Sequence, residues 1–175
     1  KILGEEKDGK IIANRIVKYR TKKPIKTAEE LTSIINEAKK KRNNYKKNPA
    51  TKTFQALRIF VNKELTELIT GLIEATRFLK KGGVLIVVSF HSLEDKIIKG
   101  FFRLYSNSNK NYSRYIPEIK NKKNYNLFKL IQKKPLQPEE EEILRNRPSR
   151  SAKLRYVIRD NNSFFYPTEI QKKFE

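Results

Sequence analysis

The chain has 175 residues, enough for one core that buries roughly 70% of the unfolded chain's surface, with room for an appendage. Lys and Arg number 40 against 19 Asp and Glu, a net charge of +21 spread over the whole length; this points to a polyanionic partner, nucleic acid before an anionic membrane. There is no Cys and one His, which excludes disulfide scaffolds, thiol nucleophiles, zinc ribbons and nearly every His-based metal site, and the longest apolar run, Val84 to Val88, is far short of the ~20 residues of a membrane span.

The chain lacks Met and opens on Lys1-Ile2-Leu3, so it reads as a piece of something longer. Residues 5–19 carry Ile12, Ile16 and Tyr19 at helical spacing, with Ile11 and Val17 widening the stripe. Thr27-Ala28-Glu29-Glu30 is a capping box that opens a second helix through Leu31, Ile34, Ile35 and Ala38. It runs into the cationic stretch Lys39 to Lys47, which reads as a linker whose Tyr45 also suits base stacking. Phe54, Leu57, Val61, Leu65, Leu68 and Leu72 step by three or four along one seam, so a single long helix is expected here, closed by Lys80-Lys81-Gly82-Gly83.

Val84 to Phe90 is an unbroken apolar and β-branched run, expected to be a central strand of a parallel sheet covered on both faces. Ser92-Leu93-Glu94-Asp95 is a second capping box, opening a helix with Ile97, Ile98, Phe101, Phe102 and Tyr105 inside. The Asn- and Lys-rich stretch Ser106 to Asn124 reads as a long surface loop, and residues 125–132 as a strand. A short helix follows Pro138, its four Glu leading and Arg145 trailing along the macrodipole. Lys153 to Arg159 alternates Leu154, Tyr156 and Ile158 with Lys153, Arg155 and Arg159, which predicts an amphipathic strand near the sheet edge with its cationic face in water. Helix, strand, helix in this order is α/β grammar.

Three places carry candidate chemistry. In open α/β sheets ligands bind where strands end, which singles out Ser89, His91 and Ser92; His91 and Ser92 can equally serve only to satisfy backbone groups at the helix start. Lys52, Gln55 and Arg58 recur at three-residue intervals on one side of a helix entry and suit a phosphate or a base edge. Asn146 to Arg155 is a cationic turn rich in hydroxyl and guanidinium groups suited to phosphate. The six glycines form no Gly-rich loop after a strand, so no nucleotide cradle can be written.

Asn48 to Asn62 (NPATKTFQALRIFVN), Gly82 to Lys99 (GGVLIVVSFHSLEDKIIK) and Asn146 to Arg155 (NRPSRSAKLR), in this order, closely resemble the ribosomal RNA small subunit methyltransferase H (MraW) family. The chain departs from that family's pattern at Asn48, where His is usual, and at Asn146-Arg147-Pro148, where Asn-Pro-Arg is usual. The resemblance implies the C-terminal half of a Rossmann-like class I methyltransferase sheet, together with the end of an inserted helical substrate-recognition domain. Residues 1–47 would be the end of the insertion, 48–160 the second half of the catalytic domain and 161–175 a tail.

By the same resemblance the intact protein would be a cytoplasmic enzyme that methylates N4 of a cytidine of 16S rRNA in the small ribosomal subunit. S-adenosylmethionine would be bound mainly by residues upstream of Lys1, with no metal and no membrane partner, and these 175 residues alone would be inactive. Ser89 and His91 would wall the catalytic pocket, and Ser92, Glu94 and Asp95 would support it. Lys52, Gln55, Arg58, Arg150, Lys153 and Arg155 would hold RNA. The alternative from a different class is a non-catalytic RNA-binding or ribosome-assembly protein.

Overall fold

The structure, a computed structural model, describes residues 3–39, 48–106, 126–167 and 170. The cationic run at 40–47 and nearly all of the expected surface loop, residues 107–124, lie outside the described residues. The chain forms two compact units, residues 1–64 and 65–175.

In the first unit α1 (Gly9–Arg20) packs on α2 (Ala28–Ala38). Thr27 caps α2, its side chain accepting from Glu30 N at 3.2 Å. Glu30 reaches back one residue further than a capping box requires, to Lys26 N at 2.8 Å. Ile12, Ile35 and Ala50 form the core, with Ile16, Leu31, Ala38 and Phe54 packed around them. The ammonium of Lys39 is buried beside Glu6, 2.5 Å from its carboxylate, and donates equally closely to the Pro49 carbonyl. Burial raises the Glu6 pKa, but Lys39 and the Asp8 amide outweigh it and leave it below the ordinary carboxylate value.

The expected single helix from Phe54 to Leu72 is two: α3 (Thr51–Val61) and α4 (Glu64–Phe78). The break falls at Asn62-Lys63, where Lys63 takes a left-handed φ of 51°, and Val61 at the end of α3 is left exposed. The apolar spacing continues across the break, so periodicity alone does not reveal it.

In the second unit β1 (Val84–Ser89), β2 (Phe128–Lys129) and β3 (Lys153–Arg159) form an antiparallel sheet in the order β1-β3-β2. Gly82 enters β1 with φ 79°, a conformation that glycine adopts without penalty, and its amide donates to Arg159 O at 2.9 Å. α5 (Ser92–Leu104) packs against β1 and β3. Phe101 and Phe102 on α5 meet Phe128 at 6.1 and 5.7 Å between ring centroids. The Tyr105 carbonyl accepts from both Leu127 N and Phe128 N, at 2.7 and 3.0 Å. α6 (Glu140–Arg145) and a 3-10 turn at Arg147–Ser151 lead into β3.

Two expectations are reversed by this sheet. Among the described residues β1 pairs on one side only, antiparallel to β3, and its Val84, Ile86 and Val88 are about half exposed, so the parallel, doubly covered reading does not hold among them. β3, expected near the edge with its cations in water, is the middle strand, and its cationic face is the buried one: Arg155, Val157 and Arg159 are inside. The register pairs Val84, Ile86 and Val88 with Ile158, Tyr156 and Leu154 on the opposite, more open face.

The cations can point inward because acceptors wait for them. Arg155 Nε donates to Asp95 Oδ1 at 2.7 Å and its Nη1 to Lys133 O at 3.3 Å. Lys153 Nζ reaches the other oxygen of Asp95 at 3.2 Å. Arg159 Nη1 donates to the Leu127 and Asp160 carbonyls at 3.0 and 3.1 Å. Burial acts to raise the Asp95 pKa, but the bonds from Arg155 and Lys153 overcome it and hold the carboxyl below its usual value.

Two measurements check this packing. Gly4 is buried with its Cα against the Lys52 carbonyl, so a Cβ there would overlap backbone; Gly4→Ala is expected to destabilise the first unit by about 1–3 kcal/mol, read as faster amide exchange at Ile12 and Ile35. Asp95→Asn is expected to cost about 3 kcal/mol in urea unfolding, because two cations lose their counter-ion inside the fold. The Asp95 carboxyl is depressed on folding, so its stabilisation is complete above pH about 4 and is lost as pH falls through the folded value; the Asn variant should show a flatter acid limb.

Candidate functional site at the end of β1

β1 ends at Ser89, which is 2% exposed and donates to Lys153 O at 3.4 Å. The chain then leaves the sheet, Phe90 is exposed, and α5 begins. The capping box lies one residue earlier than Ser92 suggests: His91 is the N-cap, its Nδ1 accepting from Glu94 N at 3.3 Å. Glu94 Oε2 returns the bond, accepting from Phe90 N at 3.0 Å and His91 N at 3.3 Å. Sequence points to Ser92 because serine is the commoner cap; imidazole nitrogen in an extended residue serves the same purpose.

This geometry fixes the imidazole. Nδ1 must carry a lone pair to accept the amide, which puts the proton of the neutral ring on Nε2. Nε2 lies 3.3 Å from Glu94 Oε1 without hydrogen-bond alignment and is a buried nitrogen with no hydrogen-bond partner among the described residues. Burial works to raise the pKa of Glu94, but His91 and the Phe90 amide prevail and set it below the ordinary value. The first turn of α5 is thus doubly anchored, Glu94 holding its entry and Asp95 tying it to Arg155 and Lys153 of β3.

The remaining expected residues divide between the two units. On α3, Arg58 forms a two-pronged pair with Glu64, Nε–Oε1 2.7 Å and Nη2–Oε2 3.0 Å, Lys52 donates to Glu5 O at 3.3 Å, and Gln55 is half-buried. In the second unit Arg150 is exposed on the 3-10 turn, Lys153 is half-buried, and Arg155 is inside. The hydroxyl of Ser149, 4% exposed, has no hydrogen-bond partner among the described residues.

Sequence reading passed over one feature of the second unit. A shallow notch open to solvent lies between α5, the segment 130–133 and β3, and its lining includes Lys99, Phe102, Arg103, Gln132, Lys133 and Arg155. The signal available was Lys99 and Arg103 four apart on a helix that already buries its apolar stripe, a like-charged pair that costs stability.

The relationships of the chain agree with its motifs. The MraW methylase family profile matches residues 1–160. Proteins called ribosomal RNA small subunit methyltransferase H are similar: that of Ehrlichia chaffeensis is 47% identical over 156 residues, 89% of this chain and 49% of the relative. That of Hyphomonas neptunium is 43% identical over 159 residues (91% and 46%), and that of a Ruegeria species 41% over 170 residues (97% and 50%). The chain spans about half the length of these relatives. On the profile match over nearly the whole chain, the protein belongs to the MraW methylase family.

Proposed function

We propose that the intact protein methylates N4 of a cytidine in 16S rRNA of the small ribosomal subunit, in the cytoplasm, with S-adenosylmethionine as methyl donor. The observation that carries this reading is the family match over residues 1–160, supported by relatives called rRNA methyltransferases at 41–47% identity. The charge of +21 supports a nucleic-acid substrate. Among the described residues no helix is long and apolar enough to cross a membrane.

In this reading residues 48–160 belong to the second half of the catalytic domain and 1–47 to the end of an inserted helical region, with Ala50 and Phe54 seated in the core of the first unit where the chain returns. The open face formed by Val84, Ile86 and Val88 and the unpaired edge of β1 are where the rest of a Rossmann-like sheet would join. An unpaired apolar edge of this kind is a liability unless covered.

The described residues do not fit S-adenosylmethionine by themselves. The polar atoms of Glu94 and the Nδ1 of His91 are engaged in the helix cap, no glycine-rich loop follows β1, and the notch beside α5 is cationic, which suits an anion and disfavours a sulfonium. In this reading the donor is held mainly by other residues of the intact protein, as the chain spans about half the length of its relatives.

This chain's own contribution is to grip and position. A base modified on its exocyclic amine has to leave its stack, and holding it at the reacting geometry supplies much of the acceleration. Ser89 and His91 line that pocket, with the buried Nε2–H of His91 available to an incoming acceptor. Ser92, Glu94 and Asp95 hold the pocket wall, and Lys52, Gln55, Arg58, Arg150, Lys153 and Arg155 contact RNA.

Calorimetry on the full-length protein should show saturable S-adenosylmethionine binding, and residues 1–175 alone none. No binding by the full-length protein would favour an assembly factor over an enzyme. His91→Ala should lose about 1 kcal/mol of stability with the cap and lower methylation of small ribosomal subunits more than tenfold. His91→Asn should restore the cap but not the rate, and activity of either variant within twofold of the parent would make His91 a cap and nothing more.

A further inference from the structure

We propose that the notch between α5, the segment 130–133 and β3 is a phosphoryl site, built to take one tetrahedral oxyanion through Lys99, Arg103, Lys133 and Arg155. Four cations line one shallow opening at the surface. Asp95, the carboxylate that pairs with Arg155, is already shared with Lys153. Among the described residues Lys99, Arg103 and Lys133 have no carboxylate partner.

The arrangement is electrostatically incomplete as it stands. Lys99 has its pKa lowered, first by the charge of Arg103, then by burial, then by Arg155 and Lys153, with Asp95 opposing. A bound anion would reverse each of those repulsions. The dipole of α5 explains a cation in its last turn, where Arg103 sits. It does not explain Lys99 a turn earlier, nor Lys133 and Arg155 arriving from other elements.

Arg155 is also held ready. Nε is fixed by Asp95 and Nη1 by the Lys133 carbonyl, while Nη2 makes no hydrogen bond among the described residues. A guanidinium held in this way presents its free N–H groups to an oxyanion at little entropic cost. Gln132 adds an amide at the rim. The same chemistry is met by a backbone phosphate of RNA or by free phosphate; the assignment to RNA rests on the methyltransferase reading, whereas the site itself does not.

The test uses the full-length protein and the pair Lys99→Gln/Arg103→Gln, with Lys80→Gln/Lys81→Gln, two exposed lysines at the entry to β1, as a control of equal charge loss. Binding of a labelled single-stranded RNA is followed by anisotropy between about 50 and 200 mM NaCl; loss of one phosphate contact should flatten the slope of log K against log salt by about 0.7. Inorganic phosphate should raise the parent's Tm at matched ionic strength and leave the double variant's unmoved. Arg103→Lys should behave as the parent. A changed slope identifies RNA as the ligand, and a lost phosphate response with an unchanged slope identifies free phosphate; both support the site.

Equal slopes and equal phosphate responses in parent and variant would overturn it, as would the same loss in the lysine control. If the double variant does not fold, Lys133→Gln, an exposed position, carries the same two readouts. S-adenosylmethionine binding is measured alongside. Retained binding with no anion response refutes the notch alone, and absent binding refutes the methyltransferase reading while the phosphate arm still decides the notch.

Discussion

One carboxylate organises the second unit. Asp95 sits in the first turn of α5 and receives Arg155 and Lys153 from alternate positions of β3, so a helix and the middle strand of the sheet share a single counter-ion. Because Arg155 is satisfied at the helix start, the cationic face of β3 can turn inward. That in turn leaves Leu154, Tyr156 and Ile158 on the opposite face beside Val84, Ile86 and Val88. The orientation of the strand, the exposure of β1 and the gathering of cations beside α5 all follow from where this charge is compensated. A buried pair of this kind gives modest net stability; its effect is to penalise any register that leaves it unpaired.

The helix start at the end of β1 combines two demands on the same residues. His91 caps α5 through one ring nitrogen and buries the other 3.3 Å from Glu94 Oε1 without a well-aligned hydrogen bond. Ser149 carries a second buried, unpartnered hydroxyl in the turn before β3. Both lie in segments that match the family motif, GGVLIVVSFHSLEDKIIK and NRPSRSAKLR, and the chain spans about half of its relatives' length. Polar atoms left without partners in one half of a protein are natural contacts for the other half or for its substrate.

Much of this fold is legible from sequence where a local rule has one outcome. Thr27 caps α2 as a threonine before Ala28-Glu29-Glu30 should, and the apolar stripe of α5 predicts its buried Phe101 and Phe102, whereas α4 ends at Phe78, before the Lys80-Lys81-Gly82-Gly83 expected to close it. The misreadings share a cause: each needed the partner, not the pattern. Alternation in β3 correctly identified two faces, but an alternating strand does not say which face is inside when Arg155 and Arg159 have acceptors across the fold. The apolar run of β1 implies a strand buried on both sides, and what would bury the second side is not among the described residues. The seam from Phe54 to Leu72 hides the Lys63 break because a left-handed residue in a short turn leaves the spacing of apolar residues nearly intact. The family resemblance came from three ordered motifs, whereas the anion notch had no motif; its residues are dispersed from Lys99 to Arg155 and meet only in the folded chain.

The carbonyl of Tyr105 gives the fold a joint that evolution can use. By accepting two amides, from Leu127 and Phe128, it fastens the end of α5 directly to the start of β2. For a connection whose ends are fixed in this way, closure cost rises only by about 0.6 kcal/mol for each doubling in length. Added length between those anchors therefore costs the fold little in closure entropy. Lineages, or engineers, can lengthen the connection without reopening the joint that Tyr105 makes.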